Sequence, residues 1–225
     1  MGNTASENPG QLTTIVHLIR HGEVHNPEGV LYGRLPDFHL SDLGRKMAER
    51  VADSLAGNDV KAVVASPLDR AQETAAPIAA RHDLDVGTDA RLIEAANFFE
   101  GKKFSVGDGV LRKPSVWPKL WNPFTPSWGE PYTEQVERVT AALRAAAALA
   151  PGHEVVCVSH QLPIWITRLA TEHRRLWHDP RKRECSLASL TSFTFVGDRI
   201  ASVKYSEPAK DLLPVKNGKK FVAGA

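Results

Sequence analysis

The hydrophobic positions of this chain follow two different spacings in alternation. Short apolar runs at residues 14–19, 60–66 and 153–160 are rich in β-branched side chains and bounded by turn signals, which is typical of buried strands. Residues 42–55 instead place their apolar side chains on one face of a helix, with Ser41 as the N-cap. Further helices are predicted from about residue 68 to 81, with Pro77 as a candidate kink, over 131–150, with Thr133 as the cap, and from residue 163 onward.

The order of these elements predicts the fold class. A short strand is predicted at residues 84–86, and two late strands, 186–195 and 199–206, are predicted to pair as a hairpin. Strands that alternate with helices and end in a hairpin predict an α/β fold. We expect a three-layer sandwich with a largely parallel central sheet and an antiparallel edge hairpin.

Residues 97–131 interrupt both spacings. They are rich in aromatic residues, glycine and proline and show no sustained period, so we expect an inserted lid region on the substrate side. The predicted domain spans residues 13–207, between a disordered leader at 1–12 and a C-terminal tail at 208–225.

Composition excludes several classes of protein. The chain has 225 residues, 42% hydrophobic and 24% charged, with a formal net charge of +2, and no long basic run predicts binding to nucleic acid. No apolar run is long enough to cross a membrane. Two cysteines cannot form a disulfide framework, so we expect reduced thiols in a cytoplasmic protein, a monomer or a homodimer.

The leader permits one alternative interpretation. Its residues lack the basic and apolar regions of a secretory signal, but they match Met-Gly-x-x-x-Ser, a pattern that marks Gly2 for myristoylation in cells with that machinery. No polybasic patch follows, and we therefore favour a flexible leader.

Basic side chains follow three of the predicted strands. Arg20 and His21 end the first strand, Arg70 follows the second on the first turn of a helix, and His160 ends the strand that begins near residue 153. Ligands of open α/β sheets bind outside the carboxyl ends of the strands. Two arginines and two histidines are therefore expected at one edge of the sheet, with Ser66 simply ending its strand.

These residues resemble those of a known family. The segments LIRHGE, DFHLSDLG, SPLDRAQET, RLIE and VSH occur in the order and approximate spacing of the histidine phosphatase superfamily, which includes cofactor-dependent phosphoglycerate mutases. The resemblance implies that His21 is the nucleophile that becomes phosphorylated and that Arg20, Arg70 and His160 complete the phosphate pocket. It also implies that Glu94 protonates the leaving group.

The implied chemistry explains the residue types. A neutral imidazole is a good nucleophile when an acceptor holds its other nitrogen, and Gly22 would let the backbone supply that acceptor. Arginine forks match phosphoryl oxygens and stabilise their charge. The scheme needs neither a metal nor a cofactor, and its substrate is a small phosphorylated metabolite.

Several assignments depart from the family pattern or have rivals. Asn26 is a candidate phosphate donor, but it sits one place earlier than expected, and Val24 replaces a threonine. Gln161 stands where a glycine is common, and its longer side chain could narrow the pocket or contact substrate. Glu23 and Glu100 are alternatives to Glu94, although we expect them to order local backbone.

Three other functions compete with a phosphatase. His17, His21 and His25 recur every four residues, which on a helix would suit a metal site, but the local pattern is a strand. A binding module without turnover is a second alternative. A phosphoglycerate mutase is the third, but the segment after Glu94 lacks the run that we associate with true mutases, and we favour a hydrolase.

Overall fold

The computed structural model describes residues 12–102 and 129–213, together with the backbone of two short strands at 215–216 and 219–220. The strands of the main sheet are β1 (Thr13–Arg20), β2 (Val60–Ala65), β3 (Val86–Thr88), β4 (Glu154–Ser159), β5 (Leu190–Val196) and β6 (Arg199–Ser206). The helices are α1 (Asp42–Leu55), α2 (Asp69–Arg81), α3 (Tyr132–Leu149) and α4 (Gln161–Thr171). The strands β7 (Val215–Lys216) and β8 (Lys219–Lys220) pair separately.

The main sheet has the strand order β3-β2-β4-β1-β5-β6. The pairs β1–β4, β4–β2 and β2–β3 are parallel, whereas β5 is antiparallel to both β1 and β6. This arrangement confirms the predicted largely parallel sheet with an antiparallel edge hairpin.

Helices cover both faces of the sheet, which confirms the three-layer α/β sandwich. Successive side chains of β1 point to opposite faces, so Ile19 packs with α1 and α2 while Leu18 packs with α3. In β4, Val156 and Cys157 divide between the same two clusters. Strands buried on both faces explain the nearly continuous apolar runs in the sequence. None of the helices in the described ranges has the length and apolar character of a membrane span.

The ends of some elements differ from the prediction. Ser41 does cap α1, since its hydroxyl accepts the Gly44 N–H at 3.0 Å. Thr133 is not the cap of α3, because the helix begins at Tyr132 and the Pro131 carbonyl accepts its first backbone bond. The third strand lies at Val86–Thr88 rather than 84–86.

Two further predictions concern helices. α4 begins at Gln161, earlier than predicted, because a proline is tolerated in the first turn of a helix, where its missing N–H would have no partner. α2 continues through Pro77 to Arg81.

The predicted lid falls mostly outside the described residues, which omit 103–128. The described ends of the segment lie together: Asn97 and Gly129 form an antiparallel bridge, and the Glu130 N–H donates to the Ala96 carbonyl at 3.2 Å. The domain boundaries stay predictions. Beyond the predicted end at residue 207, Ala209 and Leu213 are buried in the cluster of α1 and α2.

Candidate active site

The carboxyl ends of β1, β4 and β2 are neighbours at one edge of the sheet. Arg20, the last residue of β1, is paired with Ser159, the last residue of β4. The backbone pairing continues past the strands, where the His21 N–H donates to the Ser159 carbonyl at 3.1 Å and the Ser66 N–H to the Val158 carbonyl at 2.9 Å. The register therefore brings the residues that follow all three strands to one place.

His21 is fully buried and has one ring nitrogen fixed. Its Nδ1 lies 2.7 Å from the Gly22 carbonyl oxygen, which can only accept, so Nδ1 carries the proton. Nε2 then has a lone pair, and it has no hydrogen-bond partner among the described residues. Burial, followed by the positive charges of Arg70 and Arg20, holds the pKa of His21 well below its usual value. The imidazole is therefore neutral at physiological pH, as a nucleophile requires.

Gly22 must be a glycine because the backbone passes close to α1. A Cβ at this position would lie 2.6 Å from the Gly44 carbonyl oxygen. The Gly22 N–H donates to the Thr74 hydroxyl at 3.1 Å, and that hydroxyl donates to the Arg70 carbonyl at 2.7 Å. The backbone at Gly22, whose carbonyl orients His21, is thus bonded to α2 and passes close to α1.

The two arginines are held by backbone carbonyls. Arg20 Nη1 donates to the Cys185 carbonyl at 2.7 Å, and Arg70 Nη2 donates to the Gly33 carbonyl at 2.5 Å. Both side chains are at most 1% exposed. A carbonyl fixes a guanidinium without neutralising it, so both keep their charge for a phosphoryl group.

His160 lies against His21, with ring centroids 5.2 Å apart. Its Nε2 is 2.8 Å from the Ser66 hydroxyl, and its buried Nδ1 has no partner among the described residues. Burial, then the charge of Arg70, lowers the pKa of His160 far below its usual value. A neutral His160 protonated on Nδ1 can donate one hydrogen bond to a ligand while Ser66 donates to Nε2.

Glu94 is 4% exposed and lies in the loop after β3. Burial raises its pKa, against smaller opposing contributions from the Ala95 N–H and from Arg70, so the carboxyl can hold a proton. Its backbone is held in place, since its carbonyl accepts from Arg34 Nε at 2.6 Å. The Ser159 hydroxyl binds the same loop at the Leu92 carbonyl, at 2.7 Å.

Glu130 connects the Glu94 loop to α3. Its carboxylate accepts from Arg34 Nη2 at 2.7 Å and from Arg138 Nε at 2.6 Å. Arg138 also donates to the Arg91 carbonyl at 2.5 Å. The two arginines and one carboxylate form a bonded group around the backbone of the proposed acid.

The other candidate acids are engaged elsewhere. A Glu23 carboxylate oxygen accepts from the Ser41 hydroxyl at 2.5 Å, next to the cap of α1. A Glu100 oxygen accepts from the Arg34 and Asn97 N–H groups at 3.1 and 3.2 Å. The Glu100 carboxylate orders local backbone, as predicted, whereas the Glu23 carboxylate holds the hydroxyl of the capping residue Ser41.

Asn26 differs from the other candidates in its bonding. Its amide nitrogen donates to the Val30 carbonyl at 2.8 Å, and its amide oxygen accepts the Val30 N–H at 3.2 Å. The side chain thereby closes its own loop. Its role as a phosphate donor stays a prediction and would depend on its second amide hydrogen.

His17 is a satisfied sheet residue, as expected. Its ring nitrogens lie 2.7 Å from the Ser192 hydroxyl and 2.7 Å from the Glu154 carboxylate. Four residues along a strand separate it from His21 by about 13 Å, too far for both to bind one ion. Among the described residues, His17, His21 and His25 form no metal-binding group.

The cysteines are unreactive. Cys157 and Cys185 are buried free thiols. Burial raises the pKa of the Cys157 thiol to about 12 and that of Cys185 to about 11. Both therefore stay protonated and do not act as nucleophiles.

A small, partly open cavity of about 80 Å³ adjoins Glu94. It does not include the four basic groups in its lining, but Gln161, which follows His160 directly, forms part of its wall. Its described lining consists of Leu31, Gly33, Glu94, Ala95, Ala96, Asn97, Gly129, Glu130, Gln135, Gln161, Leu162 and Arg183.

The sequence analysis assigned no role in the site to several residues that contribute to it. Tyr32 places its ring 4.7 Å below the Arg70 guanidinium and 6.3 Å from the ring of His21. Three other residues contact parts of the site that are distant from them in the chain: Thr74 binds Gly22, Arg34 binds Glu94, and Ser66 binds His160. Only the position of Ser66 at a strand end could have suggested its role.

Comparison with known proteins places this geometry in a family. The chain is 63% identical over 196 residues to the uncharacterized protein Rv0525 of Mycobacterium tuberculosis, covering 87% of this chain and 97% of that one. Its fold is similar to that of mycobacterial glucosyl-3-phosphoglycerate phosphatase, with a TM-score of 0.68, 23% identity and coverage of 87% and 98%. Phosphoserine phosphatase of Entamoeba histolytica gives a TM-score of 0.68 at 24% identity, also with coverage of 87% and 98%. Residues 16–208 match the histidine phosphatase superfamily (branch 1), and the chain belongs to that superfamily.

Proposed function

We propose that this protein is a metal-independent phosphomonoester hydrolase that acts on a small phosphorylated metabolite through a phosphohistidine intermediate. The observation that carries the proposal is the state of His21: Nδ1 bonded to the Gly22 carbonyl, and Nε2 unpartnered among the described residues beside Arg20, Arg70 and His160.

In the first half of the proposed reaction, the Nε2 lone pair of His21 attacks phosphorus and forms a P–N bond. The P–O bond to the alcohol breaks, and the carboxylic acid of Glu94 gives its proton to the leaving oxygen. Charge that spreads over the phosphoryl oxygens is stabilised by Arg20, Arg70 and His160, whose positions are fixed before substrate arrives.

In the second half, water attacks phosphorus and the P–N bond breaks, which restores the neutral imidazole. The Glu94 carboxylate accepts a proton from that water and returns to its acid form. Inorganic phosphate is released. One carboxyl group thus serves as acid and then as base, and burial raises its pKa toward the range in which both roles are possible.

Hydrolysis is favoured over phosphoryl transfer between alcohols. The segment after Glu94 reads AANFFEGKKF, and it lacks the Glu-Arg-(His or His-like)-Tyr-Gly run that we associate with true phosphoglycerate mutases. Two proteins with the same fold carry the name phosphatase, one for glucosyl-3-phosphoglycerate and one for phosphoserine. A cytoplasmic location fits both the small substrate and the reduced cysteines.

The proposal is tested by phosphate release from a panel of esters that includes an aryl phosphate and 3-phosphoglycerate, with a chelator present. We compare the wild type with His21→Asn and, as a matched control, with His25→Asn at an exposed position. Wild type and H25N are expected to release phosphate, and H21N is not. Wild type quenched with alkaline detergent during turnover should also carry a phosphoryl group that is labile in acid and stable in alkali.

Each contrary result has a clear meaning. Release by H21N, or loss of release with chelator, contradicts the phosphohistidine mechanism. Transfer of the phosphoryl group to a second alcohol without net release identifies a mutase. Binding of esters with neither release nor transfer identifies a binding module.

A further inference from the structure

The lining of the cavity beside Glu94 includes a cation, Arg183, whose charge acts on the Glu94 carboxyl without an ion pair between the two. Arg183 lies on the loop before β5 and lines the cavity, half-buried. It forms no ion pair in the part of the chain that the structure describes. The other cations of this region, Arg34 and Arg138, both bind the Glu130 carboxylate. Buried charges are normally paired, so a guanidinium in a cavity wall that makes no ion pair with the described residues favours an anionic ligand.

The guanidinium of Arg183 is held by two neutral groups. Its Nε donates to His178 Nε2 at 2.8 Å, and its Nη1 donates to the Gln161 amide oxygen at 3.2 Å. His178 can accept because its Nδ1 donates to the Leu176 carbonyl at 2.7 Å. Burial lowers the pKa of His178 to about 4, so the ring stays neutral and the contact is an ordinary hydrogen bond. Two of the five N–H groups of Arg183 donate to described residues, which leaves three without a partner in that part of the chain and open to a ligand.

Arg183 is connected to the phosphate pocket through Gln161. The Gln161 amide nitrogen donates to the Cys185 carbonyl at 3.4 Å, and the same carbonyl accepts from Arg20 Nη1 at 2.7 Å. Arg183 and Arg20 are thereby fixed relative to each other. A ligand that places one anionic group at Arg20 can place a second at Arg183.

A second, independent observation points to a ligand in this cavity. Gln135 is fully buried and lines the cavity, and its amide oxygen has no partner among the described residues. The orientation of the amide is fixed, because its nitrogen donates to the Glu130 carbonyl at 2.8 Å. A buried acceptor of this kind is satisfied by a hydroxyl or amine hydrogen of a bound molecule.

We propose that Arg183 is a specificity-determining residue, which binds a second anionic group on the alcohol portion of the phosphomonoester. The proposal rests on the proposed phosphatase function for the placement of the phosphate at His21. It adds that the substrate carries two anionic groups, with a hydrogen-bond donor between them that reaches Gln135. A carboxylate and a second phosphate share the chemistry that Arg183 recognises.

The test compares substrates that differ in one group. 3-Phosphoglycerate and glycerol 3-phosphate share a three-carbon skeleton, and the carboxylate of the first is a neutral hydroxymethyl group in the second. Glycerol 1,3-bisphosphate supplies a second phosphate instead and keeps the central hydroxyl. We measure kcat/KM of the full chain for each, in wild type, Arg183→Gln and Arg183→Lys, with Arg181→Gln as the control. Arg181 is exposed on the same loop and paired with Asp179.

Wild type and R181Q are expected to prefer either 3-phosphoglycerate or the bisphosphate over glycerol 3-phosphate. The preferred substrate identifies the second anionic group as a carboxylate or a phosphate. In R183Q the preference over glycerol 3-phosphate should fall by about 10- to 100-fold, the usual value of a charged hydrogen-bonded pair. R183K should keep part of the preference, because lysine retains the positive charge but lacks the planar, forked guanidinium of arginine.

Two results would overturn the proposal. The first is that R183Q leaves unchanged the ratio of kcat/KM between the substrates with a second anionic group and glycerol 3-phosphate. The second is an equal loss on all substrates with a shifted pH profile, because it would mean that Arg183 acts through the ionisation of Glu94. If no ester is turned over, the proposed function fails, and calorimetric binding of the same esters to H21N and H21N/R183Q still measures the ratio. If R183Q does not fold, R183K carries the comparison.

Discussion

Replacing Glu94 with glutamine separates proton transfer from every other task of the site. The carboxylate oxygen that accepts the Ala95 N–H at 2.8 Å becomes an amide oxygen that can accept the same bond. The backbone contacts of Glu94 with Arg34 do not involve the side chain. We therefore expect E94Q to fold as the wild type does and to lose only the transferable proton.

The magnitude depends on the leaving group. General acid catalysis contributes about 10²–10⁴-fold, equivalent to about 3–5 kcal/mol of barrier, when an alkoxide must leave. A nitrophenolate leaves without a proton, so the first half-reaction should be nearly unaffected. The assay is burst kinetics on a series of alkyl and aryl phosphates, with Glu100→Gln as the control, since Glu100 binds loop N–H groups.

The pH profile gives a second readout of the same substitution. The active form needs neutral His21, whose pKa is lowered, and protonated Glu94, whose pKa is raised. Wild-type kcat/KM for alkyl esters should fall as the pH rises through the raised pKa of Glu94, and this decrease should disappear in E94Q. An equal loss on alkyl and aryl esters, or a decrease with rising pH that persists in E94Q, would refute the assignment of Glu94.

Three other perturbations test the geometry around the nucleophile. Burial lowers the pKa of His21 and of His160, so below about pH 6.5 the unfolded chain binds more protons than the folded chain. The free energy of unfolding should therefore decrease as the pH falls, by up to about 1.4 kcal/mol per pH unit for each histidine. Urea titrations between pH 5 and 7.5 measure that slope, which should be smaller in H21N. Gly22→Ala places a Cβ 2.6 Å from the Gly44 carbonyl oxygen and should cost about 1–3 kcal/mol in the same titrations, whereas unchanged stability would show that the two segments separate freely. Ser66→Ala removes the hydrogen-bond partner of His160 Nε2. Loss of a hydrogen bond worth about 1 kcal/mol predicts a decrease in kcat of about fivefold, measured by steady-state kinetics, and circular dichroism should show little change in fold.

The parts of the fold that depend on a repeated pattern could be predicted from the sequence. β1 and α1 bury one face each, and their periods of two and 3.6 identify them. β3 was misplaced because it has three residues, of which Gly87 and Thr88 are exposed, so no apolar period marks it. Its position is fixed by pairing with β2, a contact that the local sequence does not contain.

The residues of the candidate site also fall into those that the sequence could predict and those that it could not. Residues that end strands could be placed together from topology alone, and the register of β1 with β4 brings Arg20 and His21 beside Ser159. The residues that hold those groups could not be found in this way. Glu130 reaches Arg34 across 96 positions of the chain, and nothing near either residue in the sequence indicates the other.

The paired ends of the 97–131 segment have an evolutionary consequence. Because Asn97 is bridged to Gly129 and Glu130 is bonded to Ala96, the chain returns to the point from which it departs. The entropy cost of closing such an excursion rises only with the logarithm of its length. A change in the number of residues between 102 and 129 therefore costs little closure entropy, as long as the contacts at the two ends are kept. Evolution can change the length of this segment while Glu100 and Arg34 continue to hold the backbone of Glu94 in place.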